Sequence, residues 1–339
     1  MPVAETGRNS TTLDSNSTRP GKYPIEQGPL TSQQAEFVDA IADFVGNKAN
    51  RFKNDLDGSI TAAMILAAIA HKDEMRKNGI DPYLSHCLAV SAILKAMMEQ
   101  SGEAIDADKL VIAFLHDTLE SLIKKIVKNY EKETDDSSEA DLNITLRLIN
   151  EIFSKITGDR NSTVEPDRAY IIGCGIVALT KYDTVTNIEI EPERYKEISF
   201  GDPSVALIKI ADNLHNWSQP VQSEDPSKMK RAEEARRRYI DNLVLIFETG
   251  TSQDLSLWLH ANGIDGTDRK QYSQDLNSKL AVVIEKILTD SWPDFKSFFD
   301  NPSVQALLGQ YGADKTLPDS IPFGRPRNGG ANQGLAMIA

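Results

Sequence analysis

The stretch Asp106-Ala107-Asp108-Lys109-Leu110-Val111-Ile112-Ala113-Phe114-Leu115-His116-Asp117-Thr118-Leu119-Glu120-Ser121 decides the reading of this chain. Asp106 or Asp108 can cap a helix that carries Leu110, Ile112, Ala113, Phe114 and Leu115 into a core. The apolar run then ends on His116-Asp117. An aspartate directly behind a buried stripe is costly unless something compensates its charge. A metal ion would do so. Imidazole with carboxylate is a mixed ligand set that suits Mn, Fe or Zn better than a thiolate-preferring ion.

Working outward, Thr31-Ser32-Gln33-Gln34 fits a capping box, and Phe37, Ile41, Phe44 and Val45 follow at helical spacing. An Ala-rich helix is predicted from Ser59 to Met75, broken by the turn signal Asn78-Gly79-Ile80-Asp81-Pro82. Further helices are expected at Ser85 to Gln100, Ile144 to Ile156, Asp167 to Lys181, Pro203 to Trp217 and Lys228 to Glu248. Beyond Gly250, Leu255 to His260, Leu276 to Leu288 and Trp292 to Phe299 read as a small helical extension. Glu131 to Asp141 and Gly158 to Pro166 read as loops, and Tyr182 to Glu193 is ambiguous. Locally closed helices with few strand candidates predict an all-α protein. The expected organisation is a flexible arm over 1–30, one helical domain over 31–250, a helical extension over 251–312 and a flexible tail over 313–339.

Composition narrows the partners. Lys and Arg number 37 against 50 Asp and Glu, a net charge of −13. Such a chain is repelled by polyphosphate at long range, which argues against a non-specific nucleic-acid binder. An anionic small molecule would need cations gathered at one place. Cys87 and Cys174 form no CxxC pair, so reduced thiols are expected. The N-terminus lacks the apolar segment of a signal peptide, and no uncharged run reaches the length of a membrane span, so a cytoplasmic protein is expected.

Two further segments carry polar residues at the edge of apolar helices: Ala70-His71-Lys72-Asp73-Glu74-Met75-Arg76-Lys77-Asn78-Gly79-Ile80-Asp81-Pro82-Tyr83-Leu84-Ser85-His86, and Leu207-Ile208-Lys209-Ile210-Ala211-Asp212-Asn213-Leu214-His215-Asn216. With Phe114 to Ser121 and Val177 to Lys181 they make four ordered blocks. In that order they resemble the HD hydrolase domain of the RelA/SpoT family and of small alarmone hydrolases, over roughly residues 33 to 250.

The resemblance implies an HD-type helical fold and removal of the 3′-diphosphate from (p)ppGpp. Carried over by position, the metal ligands fall on His86, His116, Asp117 and Asp212, with one divalent cation, Mn²⁺, as cofactor. Glu120, three residues after Asp117, falls at the acid that orients or activates water. Arg76 would stack on the nucleobase, Lys77 and Asn78 would line the same pocket, Asn216 would contact ribose or base, and Lys181 would supply phosphate charge. The chain departs from the pattern at the second acidic position, Ser121; at Asn213, where the family has Arg; and at Trp217-Ser218-Gln219-Pro220. These departures leave two alternatives open: an HD phosphohydrolase acting on another nucleotide, or a slow-turnover nucleotide sensor. The chain after Gly250 reads as helical, unlike the mixed α/β domain used for synthesis, so a stand-alone hydrolase is expected.

Other residues have blander readings. His71 is read as structural or supporting the ligands, His215 as a packed helix residue and His260 as surface. The mixed charges of Lys124 to Lys132 and Lys228 to Arg238 read as solvated or self-paired helix faces. Gly173-Cys174-Gly175-Ile176-Val177-Ala178 matches a dinucleotide-binding fingerprint, but no strand precedes it and no βαβ unit surrounds it. Its glycines are read as letting a helix pack closely.

Overall fold

A computed structural model of the chain describes residues 30–76, 79, 81–121, 138–158, 168–181, 189–191, 194, 199, 203–219, 227, 230, 231, 234, 235, 238, 239, 253–264 and 279–320. The described residues are all-α. They form α1 (Ser32–Gly46), α2 (Ser59–Ala70), α3 (Leu84–Ser101), α4 (Ala107–Leu115), α5 (Ser138–Thr157), α6 (Arg168–Leu179), α7 (Pro203–Ser218), α8 (Gln253–Ala261), α9 (Ala281–Phe299) and α10 (Pro302–Gln310). Among them no helix is long and apolar enough to cross a membrane.

Helix α3 is the hub. It packs against α2, α4, α7, α8 and α9, and its whole first half from Leu84 to Leu94 is buried. A helix surrounded on every side must be apolar all round, and α2 is the same, buried without interruption from Ser59 to Ala68. Helix α4 lies between α2, α3, α6 and α7, so its apolar run Leu110–Leu115 fills the centre. The caps follow the sequence closely. Thr31 and Gln34 make a reciprocal capping box, and Asp106, not Asp108, caps α4 by accepting from the Asp108 and Lys109 amides. Gly175 stands against Ile112 of α4, where a Cβ would come within 2.6 Å of Ile112 Cδ1. That close approach accounts for a glycine inside the helix, and no strand accompanies it among the described residues.

Several expectations need correction. The helix predicted to reach Met75 ends at Ala70 with His71 as its C-cap. The chain there turns into a short return: Met75 bridges Pro82, the Arg76 amide donates to the Asp81 carbonyl at 2.7 Å, and the Tyr83 amide donates to the Glu74 carbonyl at 2.9 Å. Helix α5 begins at Ser138, so its first turn lies inside the stretch read as loop. The two helices expected at Leu276 to Leu288 and Trp292 to Phe299 are continuous across Pro293 as α9, within its described part. Proline there forfeits one ladder bond. Packing of the residues around it holds the helix together: Trp292 Nε1 donates to the Pro318 carbonyl, and Phe295 stacks on Phe52 with centroids 5.6 Å apart. Residues 313–320 of the expected tail pack on the body, with Ala313 and Leu317 buried. The arm over 1–29, 321–339, Glu131 to Ser137, the segment 182–188 and most of 228–248 lie outside the described residues.

The entry into α2 combines a buried acid with a strained glycine. Asp55 Oδ1 accepts from the Gly58 and Ile60 amides and Oδ2 from the Thr61 amide, which caps the helix. Gly58 holds φ at +87°, and a Cβ on it would meet Val45 Cγ1 at 2.3 Å. Gly58→Ala is therefore expected to lower folding stability by about 1–3 kcal/mol, read as a lower melting temperature in thermal denaturation.

Candidate metal centre

Three helices deliver their polar residues to one end of α3. His86 sits in the first buried turns of α3, His116 and Asp117 follow the last residue of α4, and Asp212 lies midway along α7. Helix α4 gives way to a turn at His116-Asp117 before helical backbone resumes at Thr118.

The ligand-type atoms of His86, His116 and Asp117 all lie within 4.8 Å of one another. Asp212 adjoins the two histidines of this trio, its Oδ1 being 3.2 Å from His86 Nε2 and 3.9 Å from His116 Nε2. Asp117 Oδ2 is 3.4 Å from His86 Nε2 and 3.1 Å from His116 Nε2. Both imidazoles and Asp212 are buried, while 17% of the Asp117 side chain remains exposed, leaving one face through which a ligand can approach.

A hydrogen bond on the outer side fixes the His116 tautomer. His116 Nδ1 donates to the Ala113 carbonyl at 2.8 Å, so in the neutral ring Nε2 is a bare acceptor; it is buried and makes no hydrogen bond. His86 Nδ1 lies 2.6 Å from His215 Nδ1, and one of the two must donate. Burial, and then the charge of neighbouring His86, hold His215 well below the ordinary imidazole range. Burial and then Arg76 lower His86 as well. Two neutral rings share one proton along that contact. If His86 donates, its Nε2 also points a lone pair inward, and the Gln219 side chain, whose amide nitrogen lies 3.2 Å from His215 Nε2, must turn its oxygen there to accept the His215 proton.

The carboxylates are held charged. Burial pushes Asp117 up, but the neighbouring His116 and then His86 imidazoles outweigh it and leave the group well below its usual range. Burial also opposes ionisation of Asp212; Lys209, its Nζ 2.6 Å from Oδ2, overcomes it together with His86 and His116. Burial lowers His116, but Asp117, then Asp212 and the Ala113 carbonyl, together outweigh it and raise the group. The bare His116 Nε2, the His86 ring and two carboxylates thus crowd together. They repel unless a positive charge stands among them, either protons on the imidazoles or a cation. Nitrogen and oxygen donors with no thiolate fit a divalent ion of the Mn, Fe or Zn kind.

The remaining predicted residues surround this cluster unevenly. Arg76 Nη2 donates to Asn216 Oδ1 at 2.8 Å, and Asn216 Nδ2 donates to Asp212 Oδ1 at 2.5 Å, a direct chain from the outer arginine to the buried acid. Arg76 also lies over the Tyr83 ring, 5.3 Å from its centre. Glu120 is buried, with Lys181 Nζ 4.0 Å from its Oε1; the lysine itself is 46% exposed. Lys77 and Asn78 lie outside the described residues. His260 is exposed.

Sequence reasoning passed over three contributors. His215, read as packing, backs His86. Lys209 neutralises Asp212. Tyr83 donates its hydroxyl to Asp117 Oδ2 at 2.6 Å and stacks on His71 with ring centres 4.8 Å apart. The first two were legible as the positions three residues after and before Asp212 on one helix face. Nothing local marked the tyrosine.

No family model and no solved structure matches the chain. Among curated proteins it is similar to the GTP pyrophosphokinase rsh of Brucella melitensis, 27% identical over 196 residues, and to that of Brucella suis, 28% identical over 197 residues. Each match covers 57% of this chain and 21% of the relative's length. The probable GTP pyrophosphokinase of Mycobacterium leprae is 29% identical over 161 residues, 46% of this chain and 15% of that protein. The chain therefore aligns with a minor part of each relative, and this similarity supports the resemblance to the RelA/SpoT family.

Proposed function

We propose that the protein is an HD-type metal-dependent phosphohydrolase that removes the 3′-diphosphate of (p)ppGpp. The observation that carries this reading is the grouping of His86, His116 and Asp117, with Asp212 Oδ1 3.2 Å from His86 Nε2. These four residues would hold one divalent cation, taken as Mn²⁺ from the family resemblance. When bound, such an ion polarises a phosphate oxygen and acidifies a water molecule.

The chain's own residues divide the remaining tasks. Arg76, braced by Asn216, offers a planar guanidinium to a nucleobase, and Tyr83 beneath it limits its swing. Lys77 and Asn78 are assigned to the same pocket. Lys181, half exposed near Glu120, meets incoming phosphate charge. Glu120 accepts the proton of the attacking water. Water adds to phosphorus, the bond to the 3′ oxygen breaks, that oxygen takes up a proton, and diphosphate leaves with the 5′ phosphates retained on the nucleoside.

The names of the relatives denote diphosphate transfer to GTP, so the two directions of alarmone metabolism must be tested side by side. Purified protein with Mn²⁺ is offered ppGpp, pppGpp, NADPH and common nucleotides in one set, and ATP with GTP in another. The proposal expects diphosphate release from ppGpp and no ppGpp formed from ATP and GTP. A second reading keeps the centre and changes the nucleotide. It is favoured by Asn213, buried where the family has Arg. Preferred turnover of another nucleotide would establish it, and tight binding with negligible turnover would instead mark a sensor.

Two further outcomes follow. His215→Ala removes the partner of the His86 Nδ1 proton and is expected to weaken Mn²⁺ binding by about 10–100-fold, measured by titration calorimetry. Glu120→Gln is expected to leave Mn²⁺ affinity intact and to lower kcat by about 10²–10⁴-fold, measured by diphosphate release.

A further inference from the structure

Ser121 is where the His-Asp block lacks its second acid, yet a carboxylate stands beside it. Ser121 Oγ donates to Glu74 Oε2 at 2.9 Å. The same oxygen lies 2.9 Å from His71 Nδ1. Glu74 comes from the loop between α2 and α3, 47 residues away in sequence, so no helical periodicity within the block could reveal it.

Glu74 is anchored at both ends of this contact to the cluster. Ser121 closes the helical turn that starts at Asp117, its amide donating to the Asp117 carbonyl at 3.0 Å. His71 stacks on Tyr83, whose hydroxyl holds Asp117 Oδ2. The loop backbone is pinned as well: the Glu74 amide donates to the His71 carbonyl, its carbonyl accepts from Tyr83, and Met75 bridges Pro82. Ordering a glutamate side chain costs conformational entropy, and capping a histidine alone would not require the second bond to Ser121. The Glu74 side chain remains 22% exposed, so it is held in place without being sealed off.

We infer that Glu74 supplies the second carboxylate of the site, delivered from the α2–α3 loop and fixed there by Ser121. This rests on the hydrolase reading above. A water held by one carboxylate can turn about that bond. A second acceptor fixes both hydrogens and aims the oxygen lone pair, which is the geometric share of catalysis. Glu120 takes the proton, and Glu74 is a positioning residue. The charge that the family pattern carries on the helix is carried here by the loop.

The test moves the charge back across the hydrogen bond. Full-length wild type, E74Q, E74Q/S121D and E74Q/S121N are compared for Mn²⁺ affinity, melting temperature and diphosphate release from ppGpp, or from whichever nucleotide the wild type hydrolyses. E74Q is expected to bind Mn²⁺ and melt as wild type does but to lose about tenfold or more in kcat. E74Q/S121D should recover most of that loss, and E74Q/S121N, with the same shape and no charge, should not. A structural cap on His71 would not be rescued from the Ser121 side. E74Q turning over at the wild-type rate overturns the inference, as does an E74Q/S121D protein that binds Mn²⁺ yet is no faster than E74Q. Should E74Q fail to fold, S121A carries the test: a several-fold slower kcat with Mn²⁺ affinity retained supports the inference, and an unchanged rate overturns it. A wild type that hydrolyses no nucleotide removes the hydrolase reading, and this inference with it, a result distinct from an active wild type indifferent to position 74.

Discussion

Four acceptors that repel one another are forced together at one end of α3, and the surrounding structure is arranged to tolerate it. The Nε2 atoms of His86 and His116 face carboxylate oxygens of Asp117 and Asp212 at 3.1–3.9 Å. Left alone, such a cluster would push α4 and α7 away from α3. Apolar packing opposes this: the Leu110–Leu115 run, the buried half of α3, and Leu207, Ile208, Ile210, Ala211 and Leu214 of α7 form one core. Lys209, Tyr83 and Asn216 donate to the carboxylates from outside and leave the inner side for a cation. Strain from buried charge offset by hydrophobic closure is what a preformed ion site requires.

The short return between α2 and α3 links that centre to everything expected to meet a nucleotide. Arg76, Tyr83, Glu74 and His71 all come from it; Tyr83 touches Asp117 directly, Arg76 reaches Asp212 through Asn216, and Glu74 and His71 meet Ser121 and Tyr83. Its outer side is braced by the C-terminal segment. Lys72 Nζ donates to the Tyr311 carbonyl at 2.9 Å, Lys315 reaches the Lys72 carbonyl, and Tyr311 packs edge-on against Phe37 of α1. The helices after residue 250 therefore lie on the α3 side of the core, behind the loop that carries the site, and join the same hydrophobic body as the rest.

Much of this was legible in the sequence, for identifiable reasons. Capping boxes, apolar periodicity and turn glycines are local signals, and they located α1, α3, α4, α6 and α7 to within a few residues. His116 and Asp117 were legible because they close an apolar run, where a charged group needs an explanation, and His86 and Asp212 because they fall in the ordered blocks of the family resemblance. The stop of α2 at Ala70 was not, because its cause is a bridge to Pro82 and a bond from Tyr83 rather than anything in the Ala-rich run. The continuity of α9 through Pro293 depends on the Trp292 and Phe295 contacts, which have no local signature. The Glu74–Ser121 and His86–His215 contacts join residues 47 and 129 positions apart, and periodicity cannot report distances of that kind.

The central claim is that one divalent cation sits among His86, His116, Asp117 and Asp212. Anomalous diffraction at the manganese edge, from crystals of the full chain grown with Mn²⁺, tests it most directly. The account predicts a single strong peak touching all four side chains, with the His86 and His116 rings turned as they are here and Nδ1 facing outward. A peak elsewhere, or a refined structure in which Asp212 turns away and His116 Nε2 points to no ion, would contradict it.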